Sequence, residues 1–133
     1  MIVIDSSVWV DYFNGAASPA TDKLDALLGV EPLAVGDIIL TEVLQGFRND
    51  ADYKTAKKLM TSLAILDMLG EQNAVKCADN YRTLRKRGLT VRKTIDVVIA
   101  TFCIENKYPL LFQDRDFLPL VAHLGLRSVL RST

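Results

Sequence analysis

The sequence predicts an α/β protein with a parallel central sheet of about four or five strands, flanked by helices on both faces. Short aliphatic runs recur along the chain, and longer segments with apolar residues at helical spacing separate them. Strands that are joined by helices pair in parallel within one sheet. With 133 residues, 50% of them hydrophobic and 24% charged, the chain has the size and composition of a single globular domain covering residues 1–133.

The first third of the chain predicts two strands and two helices. The β-branched run 2–4 predicts a buried strand, and apolar residues at helical spacing over 6–13 predict the first helix. A second helix covers 18–28, where a Ser-Pro pair supplies an N-cap and a first helical residue. The run 33–35 predicts the second strand.

The middle third predicts three helices and one strand. Helical patterns cover 37–47 and 50–63, and the second of these helices has Asp50 as its N-cap. The run 64–66 predicts the third strand. A long amphipathic helix over 71–87 follows, and a glycine ends it.

The last third predicts two helices and two strands. A helix over 94–107 has Thr94 as its N-cap, and the run 110–112 predicts the fourth strand. A helix over 117–123 and a last strand over 127–130 complete the chain.

The apolar runs and the cysteines indicate the compartment. No apolar run approaches the roughly 18 residues that a membrane span requires. The first residues lack the basic start of a signal peptide, so we expect a cytoplasmic protein that does not enter a membrane. Cys77 and Cys103 lie in helical patterns and not in a C-x-x-C pair, so we expect free, partly buried thiols.

Four acidic residues occupy positions where α/β proteins bind ligands. Asp5 follows an apolar run directly, and Asp114 follows another after Gln113. Asp96 lies in the first turn of a helix, and Glu42 lies inside a helix. In open α/β sheets, ligands bind beyond the carboxyl ends of the strands. The sequence therefore favours one acidic site at that edge of the sheet.

Each carboxylate also has a simpler structural explanation. Asp5 could cap the helix after it, Asp96 could complement a helix dipole, and Asp114 could be a turn residue. Glu42 fits these roles less well, because helical spacing places it on the apolar face of its helix with no basic residue within one turn. An isolated charge on a buried face is costly unless it is paired or bound to metal.

An all-oxygen site suits Mg²⁺ or Mn²⁺ better than zinc. Such a cation would also offset the repulsion between clustered carboxylates. His123 is the one histidine, and we expect it to be a structural or surface residue. A single histidine argues against a Ser-His-Asp triad and against two-histidine ribonuclease chemistry. No P-loop motif is present either.

Charge is distributed unevenly, although the net charge is zero. Residues 1–50 hold eight acidic and two basic side chains, a balance of −6, and residues 51–133 hold eight acidic and fourteen basic, a balance of +6. A basic run precedes Asp96, and it consists of Arg82, Arg85, Lys86, Arg87, Arg92 and Lys93. Such a run is often only a solvated helix end, but this position favours contact with the phosphate backbone of a nucleic acid, and the residues alone indicate no preference between DNA and RNA.

Four segments resemble the acidic motifs of the PIN-domain family. Residues 1–9 (MIVIDSSVW) are similar to the opening of these domains, and residues 42–46, 94–100 and 110–117 resemble the second, third and fourth motifs. The segments occur in the family's order and at its customary intervals over almost the whole chain. The size and the lack of further domains resemble the VapC toxins of bacterial and archaeal toxin–antitoxin pairs.

The resemblance implies a PIN-like fold and an endoribonuclease that hydrolyses RNA phosphodiester bonds with Mg²⁺, for which Mn²⁺ can substitute. It implies that Asp5, Glu42, Asp96 and Asp114 form a catalytic, metal-binding quartet. Asp116 matches a nearby acidic position that assists catalysis in some members. The implied partners are an RNA substrate, a VapB-type antitoxin and a second copy of the chain in a homodimer.

Two further groups of residues have predicted roles, the first from the resemblance and the second from the basic run. A hydroxyl of Ser6 or Ser7 would orient Asp5 or a water molecule held by the metal. The candidate RNA-binding residues are Arg82, Arg85, Arg87, Arg92 and Lys93.

Three other classes of protein fit these residues less well. A receiver-like signalling module would need a lysine after a late strand, where this chain has Asp114. A haloacid-dehalogenase-like phosphatase would need Asp-x-Asp after the first strand, where this chain has Asp5, Ser6 and Ser7. A purely structural binding module would leave Glu42 without a purpose.

Overall fold

A four-stranded parallel sheet forms the centre of the computed structural model, which describes residues 1–130. The strands are β1 (Ile2–Ile4), β2 (Leu33–Gly36), β3 (Ala64–Leu66) and β4 (Leu110–Leu111). They lie in the order β3-β2-β1-β4, and Val3 of β1 pairs with Ala34 on one side and Leu110 on the other. Because all strands are parallel, the residues that follow them meet at one edge of the sheet.

Seven α-helices and one 3-10 helix flank this sheet within the described residues. They are α1 (Ser6–Phe13), α2 (Pro19–Leu27), α3 (Asp37–Gln45), α4 (Asp50–Thr61), α5 (Glu71–Lys86), α6 (Thr94–Asn106), the 3-10 helix η1 (Arg115–Phe117) and α7 (Leu118–Leu124). The predicted α/β fold with a parallel central sheet is confirmed, and the sheet has four strands.

Two helix caps differ by one residue from the prediction. Helix α4 is capped by Asn49 rather than Asp50, because the Asn49 side-chain oxygen accepts a hydrogen bond from the Asp52 backbone N–H at 3.0 Å. Asp50 lies in the first turn instead, where its charge complements the helix dipole. Helix α6 has Lys93 rather than Thr94 at its N-cap position, and no side chain caps it.

The prediction of a last strand over 127–130 is wrong. In the part of the chain that the structure describes, Ser128 forms a single bridge with Leu110. The Ser128 hydroxyl donates a hydrogen bond to the Leu130 carbonyl oxygen at 2.5 Å. Local bonds of this kind compete with a strand ladder, which explains why pairing ends after one residue.

Helix α6 crosses the hydrophobic core, and it begins at the edge of the sheet where the strands end. Its residues from Asp96 to Thr101 are all buried, so Asp96 in the first turn lies at the beginning of the enclosed part of the helix. Cys77 and Cys103 are free, as predicted, and more deeply buried than expected. Burial raises the pKa of the Cys103 thiol to about 12. Within residues 1–130, no helix has both the length and the apolar character of a membrane span.

Lys107 carries backbone strain at the end of α6. Its φ of 58° lies in the left-handed region, which a residue with a Cβ disfavours. Lys107→Gly should therefore raise the free energy of unfolding by about 1 kcal/mol, net of the freedom that glycine adds to the unfolded chain. Urea denaturation measures this change. Lys107→Ala removes the same charge but keeps the strain, so an equal gain in that control would contradict the explanation.

Candidate active site

Strand ends and one helix start bring three acidic residues to the same edge of the sheet. Asp5 follows β1, and its backbone N–H donates a hydrogen bond to the Leu111 carbonyl at the end of β4, at 2.9 Å. Asp114 follows β4 and caps η1, and Asp96 lies in the first turn of α6. Although Asp5 occupies the N-cap position of α1, its side chain makes no capping hydrogen bond, so capping does not explain this carboxylate.

These residues open onto a cleft of about 300 Å³. Its lining consists of Asp5, Ser6, Ser7, Val10, Asp11, Glu42, Lys93, Asp96 and Asp114. All four members of the acidic quartet predicted from the sequence are therefore brought together. Four separate elements supply them, namely the N-terminal end of α1, helix α3, the start of α6 and the segment after β4.

The two neighbouring serines each orient a different carboxylate. The Ser7 hydroxyl donates a hydrogen bond to Asp5 Oδ2 at 2.8 Å, as the family resemblance implied for one of the pair. The Ser6 hydroxyl donates instead to Glu42 Oε1 at 2.7 Å and joins α1 to α3. Glu42 is only partly buried, and not enclosed as its helical position had suggested, because it faces the cleft.

Two members of the quartet also form a close group with Asp116. Oxygen atoms of Asp96, Asp114 and Asp116 lie within 4.8 Å of one another. The Asp114 Oδ1 atom also accepts a hydrogen bond from the Asp116 backbone N–H at 2.9 Å, which fixes the turn between them. The structure thus groups Asp116 with two members of the quartet, although it does not line the cleft itself.

Asp96 carries an unpartnered oxygen in a buried position. Its side chain is 7% exposed, and its Oδ2 atom has no hydrogen-bond partner among the described residues. Burial is the largest cause that raises the pKa of Asp96, and together with the charges of Asp5, Asp114 and Asp116, and against the lowering effect of Lys93, it takes that pKa from 3.8 to about 6. A buried carboxylate of this kind needs a proton or a cation to be stable.

Asp5 is also buried, but a hydrogen bond partly offsets the effect of burial on its pKa. It is 5% exposed, and burial raises its pKa above the ordinary 3.8, with a smaller contribution from the charge of Glu42. The Ser7 hydroxyl bond lowers the pKa and so opposes the effect of burial. The two most buried carboxylates of the cleft therefore both disfavour the charged form in the absence of a cation.

The chemistry of these donors fits a hard divalent cation. All the candidate ligands are carboxylate oxygens, and three of these carboxylates already lie close together. Within residues 1–130, one of their buried oxygens lacks a hydrogen-bond partner. Mg²⁺ and Mn²⁺ prefer oxygen ligands, while zinc sites usually include His or Cys. The residues that could hold such an ion are Asp5, Glu42, Asp96 and Asp114, which line the cleft, and Asp116, which lies beside Asp96 and Asp114.

Two cleft residues were not recognised in the sequence as part of the acidic site. Asp11 lines the cleft one helical turn after Ser7, and this i, i+4 spacing was the available signal. Lys93 was predicted to bind RNA, but its position directly in the cleft followed only from the fold. Both positions depend on how the elements around the cleft pack together.

The rest of the basic run lies on the surface outside the cleft. Arg82, Arg85, Lys86, Arg87 and Arg92 are all exposed. The Arg85 guanidinium lies 5.8 Å from the centre of the Tyr81 ring, and Arg87 donates a hydrogen bond to His123 Nδ1 at 2.9 Å. His123 is therefore a surface residue outside the acidic site, in line with the sequence-based expectation.

Comparison with known proteins agrees with this arrangement. The chain matches the PIN domain model over residues 2–122. It is 33% identical over 119 residues to VapC ribonuclease Mb1587 of Mycobacterium bovis and to ribonuclease VapC11 of Mycobacterium tuberculosis, which covers 88% of this chain and 89% of each relative. The chain therefore belongs to the PIN-domain family and, within that family, to the VapC ribonucleases.

Two solved structures share the fold. One is VapBC2 from Rickettsia felis bound to a DNA fragment from their promoter, with a TM-score of 0.68, 21% identity, and coverage of 89% of this chain and 92% of that chain. The other is a toxin–antitoxin complex from Klebsiella pneumoniae, with a TM-score of 0.68, 16% identity, and coverage of 88% and 90%. At these identities the similarity establishes the fold alone.

The raised pKa of Asp96 predicts a pH-dependent stability of the metal-free protein. Because the pKa rises from 3.8 to about 6 on folding, this group's stabilising contribution is complete below about pH 4 and is lost as the pH rises through about 6. Asp96→Asn removes the ionisation. Relative to the parent, it should therefore gain about 1–3 kcal/mol between about pH 4 and about pH 7.5.

Urea denaturation in EDTA across this pH range measures the difference. Asp79→Asn is a matched control, because Asp79 lies exposed on α5, and its stability profile should run parallel to that of the parent. If the stability profile of Asp96→Asn also runs parallel to that of the parent, folding does not raise the pKa of the Asp96 carboxylate.

Proposed function

We propose that this chain is a Mg²⁺-dependent endoribonuclease, with Mn²⁺ able to substitute, and that it is the toxin of a type II toxin–antitoxin system. The observation that carries the proposal is the cleft lined by Asp5, Glu42, Asp96 and Asp114, in which one buried Asp96 oxygen has no hydrogen-bond partner among the residues that the structure describes. The relatives at 33% identity are named ribonucleases, which supports RNA as the substrate.

The carboxylates divide the work between holding the cation and managing the attacking water. A bound divalent cation supplies positive charge at the scissile phosphate and favours deprotonation of that water. Asp96, Asp114 and Asp116 hold the cation, since their oxygens already lie within 4.8 Å of one another. Asp5 adds a further ligand, and the Ser7 hydroxyl keeps it oriented.

Glu42 has a different task in this proposal. The Ser6 hydroxyl holds its Oε1 atom at 2.7 Å, and the residue is partly exposed in the cleft. Its Oε2 atom can therefore accept a hydrogen bond from the water and position it for in-line attack on phosphorus. With no histidine in the lining, the cation and the carboxylates carry the acid–base chemistry.

The basic residues bind the RNA backbone on either side of the scissile bond. Lys93 lines the cleft, and we assign to it the phosphate next to the reacting one. Arg82, Arg85, Arg87 and Arg92 are exposed around the end of α5 and the loop after it, where they extend the positive surface to further phosphates. Contacts of this kind give affinity and little sequence preference.

The proposal includes partners and a location. A VapB-type antitoxin is the expected inhibitor, and the Rickettsia felis and Klebsiella pneumoniae complexes support a partner of that kind. We also propose a homodimer in the cytoplasm that does not enter a membrane.

Removal of the cation or of one ligand should abolish cleavage without unfolding the protein. Hydrolysis of a fluorescent RNA should stop in excess EDTA and return with Mn²⁺ or Mg²⁺. Asp96→Asn keeps the side-chain volume but holds the cation poorly, so its rate should fall by about two orders of magnitude or more. Asp79→Asn should cleave at the parental rate, and full activity of folded Asp96→Asn would refute the assignment.

The basic residues should control the salt dependence of RNA binding. Replacement of Arg85, Arg87 and Arg92 by alanine should weaken binding and reduce the slope of log affinity against log salt by about one unit for each phosphate that is no longer bound. The matched control replaces three exposed lysines of α4 and changes the net charge equally, and these are Lys54, Lys57 and Lys58. Equal slopes for the two triple variants would show that only net charge matters.

A further inference from the structure

One side-chain hydrogen bond joins the segment that carries Asp114 to helix α1. The Gln113 Nε2 atom donates to Asp11 Oδ2 at 2.6 Å, although the two residues are 102 positions apart in the sequence. Gln113 directly precedes Asp114, and Asp11 lines the acidic cleft. The bond therefore crosses the rim of the cleft, between a residue next to a proposed metal ligand and a residue in its wall.

Few other polar contacts restrain this segment. Pairing with β1 ends at Leu111, and the Asp114 side chain accepts its hydrogen bond from within the segment, from the Asp116 backbone N–H. Among the described residues, the Gln113–Asp11 bond is the one side-chain hydrogen bond that leaves residues 112–118. Phe112 and Phe117 anchor the segment by packing against each other in the core, but their apolar contacts do not aim a carboxylate.

Helix α1 is itself fixed in the fold, so a bond to it can restrain the segment that carries Asp114. It starts beside Asp5, and Ser7 in its first turn orients the Asp5 carboxylate. Its Trp9 is fully buried, so the helix is fixed to the core. The bond from Gln113 to Asp11 therefore fixes the segment that carries Asp114 relative to α1, the helix whose Ser7 also orients the Asp5 carboxylate.

We propose that Gln113 and Asp11 are positioning residues that hold the Asp114 and Asp116 carboxylates in register with Asp5 and Asp96. This inference rests on the proposed metal-dependent function. An amide donor suits the task, because it satisfies the Asp11 carboxylate without placing a positive charge where it would compete with a cation. Asp11 acts through Gln113 and is not itself a ligand.

Calorimetric titration of the metal-free protein with Mn²⁺ tests this role. Gln113→Ala and Asp11→Ala should each weaken Mn²⁺ binding by about ten-fold. The double variant should bind no more weakly than either single variant, since both changes break the same bond. Asp11→Asn should keep most of the affinity, because its side-chain oxygen can still accept the bond from Gln113.

Hydrogen exchange supplies a readout that needs no metal. In the metal-free protein, the amides of residues 112–118 should exchange faster in both alanine variants and at the parental rate in Asp11→Asn. Tyr12→Phe is a matched control, because it removes a comparable hydrogen bond from α1, the 3.0 Å bond from the Tyr12 hydroxyl to Asp25. This control should change neither the Mn²⁺ affinity nor the exchange of residues 112–118.

The outcomes separate this inference from the proposed function. If Asp11→Asn weakens Mn²⁺ binding as much as Asp11→Ala does, the positioning role of the Gln113–Asp11 bond is overturned. The same holds if the effects of Gln113→Ala and Asp11→Ala add in the double variant. Parental binding by Gln113→Ala, in a protein whose Asp96→Asn variant no longer binds Mn²⁺, also overturns it. If Asp96→Asn leaves Mn²⁺ binding unchanged, the proposed metal site is overturned. Parental hydrogen exchange of residues 112–118 in Gln113→Ala would then overturn the positioning role of the Gln113–Asp11 bond as well.

Discussion

Burial of negative charge at one edge of a parallel sheet is the constraint on which the rest of this site depends. Pairing of β1 with β4 brings the chain ends of both strands together, so Asp5 and Asp114 cannot lie far apart. Helix α6 brings Asp96 to the same edge with an oxygen that no protein group satisfies among the residues described. Charges of one sign that are crowded and buried raise one another's pKa, and a cation relieves that repulsion.

Neutral donors make most of the polar contacts to the cleft carboxylates. Ser7 and Ser6 donate to Asp5 and Glu42, and Gln113 donates to Asp11. A hydroxyl or an amide orients a carboxylate and leaves its charge available to an ion, whereas a lysine or arginine would neutralise it. Among the described residues, Lys93 is the one basic residue that lines the cleft, and its effect on the pKa of Asp96 is smaller than that of burial. The cleft therefore keeps the negative charge that a divalent cation needs.

The sequence predicted the order of the elements and the positions of the acidic residues well, because both follow from local patterns. An apolar run that is followed within two residues by a carboxylate, as at Asp5 and Asp114, identifies a strand end without knowledge of the fold. The partial exposure of Glu42 was not predictable, since it depends on how α3 packs beside the cleft. The contact of Asp11 was not predictable either, since its partner Gln113 is 102 positions away in the sequence. The last strand was wrongly predicted because a local bond of Ser128 outweighs its strand propensity.

The most direct test of a cation between the Asp96 and Asp114 carboxylates is diffraction from crystals grown with saturating Mn²⁺, measured where manganese scatters anomalously. An anomalous peak should lie about 2 Å from Asp96 Oδ2 and at a similar distance from an Asp114 oxygen. The peak should be missing from isomorphous crystals of Asp96→Asn. A parent cleft without a peak, in which Asp96 Oδ2 still has no partner, would contradict the account.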